Sequence, residues 1–549
     1  MHLPSFVRKE WFWFLSITLL LYGLSYGPII HNFMVTPENR VYWGAEEYPL
    51  DLLGNLSLIR QGYYGHIMSF VNYSTRLPNQ PTFTKMEYVL AGGVARLFHV
   101  DTTIMFFLTR LAISLLYVAV LIGIVRALFT KIYERVGAYT LILFGSYVSS
   151  RWLTKEVFAD MAPFDSLVFN RLTQAMPHYL LGGLATVASL YFLARVLDRP
   201  RTYKSFIAAS LLGFVASNSY APNMVLILSS FPVYMLFVLL SRGKQKDTIA
   251  YLGSRIGILI AYAGIICIPI FYARYVQAIV WNTMRTTTHV EQLNPFRLSV
   301  VGYLFAVGLP YILSIIGLPS IIRSKKTLPL LFSSWIVVHP LGEYILSPLL
   351  QINYVRYFLT PYFVVFGILA IYGIKQLSVS LAGSRRRLSL AFFWMSLILV
   401  LVSGAMSYQA NLRRSTMCFC MSPIFDYAYP RRDIMNGVTW IRNHTKEQDI
   451  VLSGLYPGTL ISAFSGNHVF ASWWYRLVEP PDFAQSSLLL TQFYTGQMDE
   501  QAAVDFLRQE KISYVFFDAI TDNNAKSLPY TGLAPVYEKG NVHIYRVIQ

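Results

Sequence analysis

The chain has 549 residues, of which 55% are hydrophobic and only 13% are charged, and its net charge is +17. A soluble domain usually has about 25% charged residues, so the composition excludes an ordinary soluble protein over most of this length. The positive charge does not predict nucleic-acid binding, because it lies in short clusters between apolar runs. From Asn411 onward the chain is nearly neutral, with 12 Lys and Arg against 13 Asp and Glu.

Apolar runs predict about eleven membrane-spanning helices, since a span needs about 20 apolar residues. The predicted fold class is therefore mainly α, a polytopic transmembrane helix bundle, followed by a small C-terminal α/β domain. We interpret the first run as an anchor, because no small-residue cleavage site follows it. The predicted spans lie near residues 11–30, 102–125, 136–150, 174–194, 205–219, 222–240, 249–273, 298–321, 328–348, 355–374 and 388–408.

Successive loops between these spans lie on alternate sides of the membrane. When the loops are assigned in this way, one side contains mainly basic residues and the other mainly acidic residues. Cytoplasmic loops retain Lys and Arg, so the pattern predicts a cytoplasmic N-terminus and an extracytoplasmic tail, with the plasma membrane as the expected location. The basic set contains Arg8, Lys9, Arg126, Lys131, Arg135, Arg195, Arg199, Arg201, Lys204, Arg242, Lys244, Lys246, Arg323, Lys325, Lys326, Lys375, Arg385, Arg386 and Arg387. The acidic set contains Glu46, Glu47, Asp51, Glu87, Asp160, Asp165, Glu291 and Glu343.

Two domains are predicted from this organisation. Residues 1–408 form a transmembrane domain with a long first outer loop, 31–101, and long ordered loops are often functional. Residues 409–549 form a soluble extracytoplasmic domain, in which helices and short strands alternate and predict a mainly parallel sheet. The predicted helices are Asp433–His444 and Asp499–Lys511, and the predicted strands are Asp449–Ser453, His468–Ala471, Tyr514–Phe517 and His543–Val547.

Three stretches of the membrane part resemble a known superfamily. The first outer loop contains YPLDLLGNLSLIRQGYYG at Tyr48–Gly65, with an acid about ten residues ahead of an IRQG-like stretch. The fourth span opens with NRLTQAMPH at Asn170–His178, and the tenth with NYVRYFLTP at Asn353–Pro361. Together they resemble the GT-C superfamily of membrane glycosyltransferases, including its protein mannosyltransferase and aminoarabinose transferase branches.

The resemblance implies a chemistry. The donor is a sugar on a polyprenyl phosphate, and the acceptor on the outer face is a glycan, a lipid or a protein. Transfer needs a base for the acceptor hydroxyl and a cation for the departing phosphate. A single base with direct displacement would invert the anomeric centre.

The catalytic base is expected among the acids of the first outer loop. Asp51 is the first candidate, with Glu47 and Glu46 behind it. The alternative for Asp51 is that it caps an interfacial helix, where Asp is favoured. The alternative for Glu46 and Glu47 is solvated loop charge.

The phosphate is expected to meet basic side chains, since the planar fork of Arg matches phosphate oxygens. Arg356 is the first candidate, Arg171 the next, and His178, Arg285 and His289 could face the same cavity. Arg171 and His178 lie seven residues apart, on one helix face. The alternative is that these groups only snorkel to the membrane interface.

A divalent metal, Mg²⁺ or Mn²⁺, is left open by the sequence. Asp160 and Asp165 could hold it with Asp51, because hard cations take carboxylate oxygens, but no D-x-D pattern is present. The chain also departs from the superfamily elsewhere. Its first loop lacks the adjacent Asp-Glu of the mannosyltransferase branch, and SWWYR in the tail lacks the acid of the oligosaccharyltransferase Trp-Trp-Asp signature, which disfavours transfer of a whole oligosaccharide to protein.

Two other functions compete with the glycosyltransferase hypothesis. One is a multispan transporter or lipid flippase of envelope glycan precursors, and the other is an assembly protein without chemistry of its own. Transporters usually have internal repeats and ionisable residues near the bilayer midplane. Here the spans contain few such residues and the ionisable groups collect at the outer rim, which favours an enzyme.

Overall fold

The computed structural model describes residues 9–45, 49–77, 80–145, 171–173, 175–200, 202–242, 246–276, 298–350, 352–382, 387–388, 390–400, 402, 423–473, 483–522 and 527–548. The chain divides into two compact units that are interleaved along the sequence. The helical unit comprises Met1–Pro28, Arg110–Tyr272 and Glu291–Arg414. The mixed unit comprises Ile29–Thr109, Ala273–Val290 and Ser415–Gln549, so the first outer loop belongs with the tail. The division into domains 1–408 and 409–549 stays a prediction.

Long apolar helices form the membrane part. Within the described ranges, eight helices are long and apolar enough to cross a bilayer: Glu10–Val35, Thr102–Leu128, Pro177–Asp198, Ala221–Arg242, Thr248–Tyr275, Val300–Ser324, Thr327–Leu350 and Tyr362–Leu381. The third, fifth and eleventh predicted spans coincide with the shorter helices Ile132–Phe144, Tyr203–Ser219 and Leu390–Val400. The prediction of a transmembrane helix bundle is confirmed.

The tenth span begins later than predicted. A one-turn helix, Val355–Phe358, comes first, and the long helix Tyr362–Ala382 starts only after Pro361. A proline disfavours helical geometry in the residue before it, so the chain leaves the helix at this point and re-enters one after the proline. The break puts Arg356 on a separate short turn ahead of the membrane helix.

A four-stranded sheet lies at the centre of the tail. Its strands are β1 Ile450–Leu452, β2 Ile512–Asp518, β3 Leu533–Lys539 and β4 Val542–Val547, in the order β1-β2-β4-β3. Only β1 and β2 are parallel, so the expected mainly parallel sheet is wrong. The reason is the β3–β4 hairpin, whose turn contains Gly540 at φ 64°. The predicted strand 468–471 reduces to one parallel bridge, Val469 to Val451.

The mixed unit also contains helices. Arg432–His444 and Glu500–Gln509 confirm the two predicted helices of the tail. The others are Pro49–Tyr64, Met86–Leu97, Pro423–Ala428, Leu455–Phe464, Phe483–Tyr494 and Ala519–Asp522.

Polar contacts join the first outer loop to the tail inside the mixed unit. The guanidinium of Arg76 lies 2.7 Å from Glu510, and Arg40 pairs with Asp426. The buried amide of Asn72 donates to the carbonyl oxygens of Ser462 and Gly466, at 3.2 Å each. Segments far apart in the sequence therefore share one hydrogen-bonded structure.

Candidate functional site

Arg356 is the predicted phosphate ligand whose surroundings are best defined. Its backbone N–H donates to the carbonyl of Asn353 at 3.0 Å, which closes the short turn. Its Nη1 donates to the hydroxyl of Tyr179 at 3.2 Å, and its carbonyl accepts from the hydroxyl of Tyr220 at 2.6 Å. Two tyrosines from other helical segments thus fix both the backbone and the side chain of this arginine.

Tyr179 also connects Arg356 to His178. The helix Pro177–Asp198 begins with a proline, whose fixed φ suits a first helical position. The rings of His178 and Tyr179 lie 4.0 Å apart, and Tyr220 packs edge-on against Tyr179 at 4.9 Å. Two predicted site residues, His178 and Arg356, are therefore brought to one cluster through a tyrosine that sequence reasoning did not select.

Arg171 contacts the first turn of the helix Tyr362–Ala382, which follows Arg356 in the sequence. Its guanidinium sits 4.1 Å from the centre of the Phe363 ring, in the first turn of Tyr362–Ala382, and its Nη2 donates to the carbonyl of Ile142 at 3.2 Å. Cation–π contacts of this kind orient a guanidinium and are worth about 0.5–2 kcal/mol. The predicted side chain is thus held in place by an aromatic ring and a carbonyl.

A buried histidine supports the turn that contains Arg356. His339 is fully buried, and its Nδ1 lies 2.8 Å from the hydroxyl of Tyr303. Its Nε2 lies 3.3 Å from the carbonyl of Tyr357, the residue after Arg356. A neutral imidazole satisfies both contacts when Tyr303 donates to Nδ1 and Nε2–H donates to the carbonyl. This histidine was not selected from the sequence.

Glu343 differs from its predicted setting. The charge pattern counted it with the outer-loop acids, but it lies inside the helix Thr327–Leu350 and is fully buried. It occupies a π-helical turn, Gly342–Leu346, and such turns occur frequently at functional sites. An ionisable residue within a membrane span is a functional candidate by default. The sequence signal was the acid itself within an otherwise apolar run.

Asp51 lies in the mixed unit, in the first turn of Pro49–Tyr64, and is half-buried. An acid there is stabilised in its charged form by the positive end of the helix dipole. One turn later the buried Asn55 accepts a hydrogen bond of 3.1 Å from Nζ of Lys85. The role of Asp51 as a base stays a prediction.

The IRQG stretch after Asp51 has a structural role. An added Cβ at Gly62 would lie 2.0 Å from the carbonyl oxygen of Val89, and one at Gly92 would lie 2.0 Å from that of Ile59. The helices Pro49–Tyr64 and Met86–Leu97 therefore pack at a distance that only glycine permits. Gln61 both donates to and accepts from the backbone of Phe70, at 3.0 Å.

Asp101 ends the first outer loop between two arginines of the mixed unit. Its Oδ2 lies 3.5 Å from Nη1 of Arg442 and 4.0 Å from Nη2 of the buried Arg60. Burial lowers the pKa of Arg60, and the nearby charge of Asp101 opposes that shift. This acid is a structural ion-pair partner and offers a matched control for Asp51.

The remaining predicted site residues are Glu46, Glu47, Asp160, Asp165, Arg285 and His289, which lie outside the described residues. Among the residues that are described, no group of three His, Cys, Asp or Glu could hold a metal ion. These predictions therefore stay open.

Comparison with known proteins identifies the fold. No protein-family model and no curated protein matches the chain. Among solved structures, the oligosaccharyltransferase AglB of Archaeoglobus fulgidus, in complex with an inhibitory peptide and a dolichol-phosphate, is 13% identical, with 94% of this chain and 70% of AglB covered and a TM-score of 0.53. An Archaeoglobus fulgidus oligosaccharyltransferase in complex with Zn and sulfate is 12% identical over 97% of this chain and 73% of the enzyme, with a TM-score of 0.53.

The chain has the GT-C fold. ArnT from Cupriavidus metallidurans, bound to undecaprenyl phosphate, also matches, at 12% identity over 97% of both chains and a TM-score of 0.49. The apolar helices described above identify this as an integral membrane protein. The fold predicted from the three sequence stretches is thus confirmed.

Proposed function

We propose that this protein is an integral membrane glycosyltransferase that moves a sugar from a polyprenyl-phosphate donor to an acceptor on the outer face of the membrane. The observation that carries the proposal is the GT-C fold, which it shares over 94% of its length with an oligosaccharyltransferase whose structure includes a dolichol-phosphate. This likeness favours a transferase over a transporter or flippase.

The proposed reaction is a direct displacement at the sugar. Asp51 accepts the proton of the acceptor hydroxyl, and the acceptor oxygen forms a bond to the anomeric carbon. The bond between that carbon and the phosphate oxygen breaks, and the polyprenyl phosphate leaves with the electron pair. Attack opposite the leaving group inverts the anomeric centre.

Arg356 is the proposed principal ligand of the leaving phosphate. Its guanidinium can offer two parallel N–H donors to phosphate oxygens, and Tyr179 and Tyr220 fix its position before the donor arrives. Arg171 and His178 are the proposed supporting groups, since Arg171 is held at the start of the next helix and His178 contacts Tyr179. Arg285 and His289 complete the proposed set, and Glu46 and Glu47 assist Asp51.

A divalent metal ion is a separate part of the proposal, and the displacement described above does not depend on it. One structure of the archaeal enzyme with this fold contains Zn and sulfate. Here Asp160 and Asp165 are the proposed ligands, for Mg²⁺ or Mn²⁺, because carboxylate oxygens suit hard cations. No step of the displacement above is assigned to the ion.

The proposed orientation follows from the loop charges. The N-terminus is cytoplasmic and the tail is extracytoplasmic, because the basic loops stay on the cytoplasmic side. The plasma membrane is the proposed location. The Asp51 helix then faces the outer surface, where a hydroxyl acceptor on a glycan, lipid or protein is available.

The test is donor consumption by the purified full-length protein. A panel of polyprenyl-phosphate sugars is incubated with it and a mixed pool of acceptor glycans and lipids, with and without a chelator. The expected result is loss of one donor and release of free polyprenyl phosphate, measured by mass spectrometry. A flippase would move the donor between leaflets and leave it chemically intact, and that outcome would overturn the proposal.

A further inference from the structure

A second candidate site lies in the helical unit, where three helices come to an end or begin. A cavity of about 680 Å³ opens beside the last residues of Thr102–Leu128 and of Pro177–Asp198 and the first residues of Thr327–Leu350. Its lining combines basic, polar and apolar side chains: Ala127, Leu128, Tyr191, Ala194, Arg195, Asp198, Arg199, Thr202, Lys326, Thr327, Leu328 and Pro329.

The cavity is remote from the Arg356 cluster. The helix Pro177–Asp198 has 22 residues and begins with His178 and Tyr179, which belong to that cluster. At 1.5 Å per residue this helix is about 33 Å long, which is close to the thickness of a bilayer core. Its other end reaches the cavity, so the cavity lies at the opposite membrane surface from Arg356.

Three cations and one acid line the cavity. The cations are Arg195, Arg199 and Lys326, all exposed. The acid is Asp198, whose Oδ1 accepts a hydrogen bond from the hydroxyl of Thr327. Within the described part of the chain, the recorded ion pairs include none of these three cations. The cavity therefore has a net positive charge.

The three cations lie at helix ends of different polarity. Arg195 and Arg199 lie at the C-terminal end of a helix, where the helix dipole favours positive charge. Lys326 lies between the end of Val300–Ser324, where the dipole favours a cation, and the start of the next helix at Thr327, where the dipole favours an anion. An anion bound beside Thr327 would therefore be stabilised both by that helix start and by the three cations.

The apolar part of the lining indicates which anion fits. Leu128, Leu328 and Pro329 lie beside the cations at the end of the membrane helices. Basic pockets of this kind between transmembrane helices bind anionic lipid headgroups. We propose that this cavity binds the phosphate of an anionic membrane lipid, with Arg195, Arg199 and Lys326 around the phosphate and an acyl chain against the apolar side chains.

This proposal does not depend on the glycosyltransferase function. The cavity belongs to the basic loops, which the charge pattern assigns to the cytoplasmic side, and the cytoplasmic leaflet carries anionic lipids. A lipid phosphate bound there would connect the ends of three helices, so binding should also stabilise the helical unit.

The experiment is lipid binding by the full-length protein in detergent, read by native mass spectrometry and by thermal unfolding. The probes are phosphatidylglycerol, phosphatidylcholine and inorganic phosphate. Phosphatidylglycerol should be retained and should raise the Tm, and the other two should do neither. The double variant R195Q/K326Q should bind phosphatidylglycerol roughly 30-fold more weakly, since each cation contributes about a factor of five near an anionic lipid.

Two further variants make the result decisive. K204Q removes an equally exposed cation of the same loop that does not line the cavity, and it should bind like the wild type. K326Q alone covers the case in which the double variant fails to fold, and it should bind roughly fivefold more weakly. Equal retention of both lipids, unchanged binding by K326Q, or a Tm increase with inorganic phosphate alone would each overturn the lipid assignment.

Discussion

The contacts described for Arg356 and Arg171 in the helical unit differ in kind from those of Arg431 in the mixed unit. In the helical unit, Arg356 contacts the hydroxyl of Tyr179 and Arg171 contacts the ring of Phe363. In the mixed unit, Arg431 lies 2.9 Å from Asp433 and 2.7 Å from the fully buried Asp518. A phenol or a ring orients a guanidinium, whereas a carboxylate also neutralises it. Substitutions in the first group should therefore change activity, and those in the second should change stability.

The largest expected effect concerns the acid of the proposed reaction. Asp51→Asn removes the proton acceptor, so transfer should fall at least 100-fold, while expression stays as in the wild type. The measurement is donor consumption. Asp101→Asn is the matched control, because that acid belongs to the same outer loop but pairs with Arg442. Equal activity loss in both variants would reduce Asp51 to a structural residue.

The next effect tests the oriented cation of the helical unit. Arg356→Gln should lower kcat/KM by roughly 100- to 1,000-fold, because one preorganised donor to a developing negative charge is lost. Arg356→Lys should recover part of this loss, since Lys keeps the charge but not the planar fork. Undiminished turnover in Arg356→Gln would contradict the proposed phosphate site.

A smaller effect on activity is expected when Arg356 is kept and its hydrogen-bond partner Tyr179 is changed. Tyr179→Phe removes only the hydroxyl that accepts from Arg356, so kcat/KM should fall about tenfold, in line with one hydrogen bond to a charged group. The Tm should not change. Tyr203→Phe, at an exposed position, is the control and should remain fully active. A lowered Tm with normal kcat/KM in Tyr179→Phe would contradict the contrast between Arg356 and Arg431.

The smallest expected effect is a pH dependence of the stability of the mixed unit. Burial alone would raise the pKa of Asp433, but the hydrogen bonds and charge of Arg431 outweigh it and hold the pKa below its ordinary value. The stabilisation is therefore complete above the unfolded-state pKa, near 3.9, and is lost as the pH falls through the lower folded-state pKa. The protection factors for amide hydrogen exchange in the helix Arg432–His444 should therefore fall as the pH decreases below about 4. Asp433→Asn should flatten this dependence, and an unchanged slope would argue against the pairing.

The tail shows how far local pattern predicts structure. The helices Arg432–His444 and Glu500–Gln509 were predictable because each buries one apolar face, a periodic signal that needs no distant information. The strand β3 was missed because Leu533–Lys539 contains Pro535 and charged residues, and lies at the sheet edge, where such residues are tolerated. Strand direction depends on long-range pairing, which a local pattern does not contain.

The candidate site shows the same limit. Arg356 and His178 were each predicted as individual residues, but their link through Tyr179 spans 177 positions in the sequence. Glu343 was misassigned because alternate loop numbering gives the sign of a charge and not its depth. The charge pattern thus predicted which charged residues lie near the ends of the membrane helices. Which of them are buried, such as Glu343, depends on tertiary packing.

The interleaving of the two units has a consequence for biosynthesis. Asn72 and Arg76 emerge from the ribosome early, but Gly466 and Glu510, which they contact, emerge only after the membrane helices have been made. At a synthesis rate of about 5–20 residues per second, that delay is on the order of 20 to 90 s. During this interval the early segment lacks its native neighbours, so a truncation of the last residues should leave it a substrate for quality-control proteases.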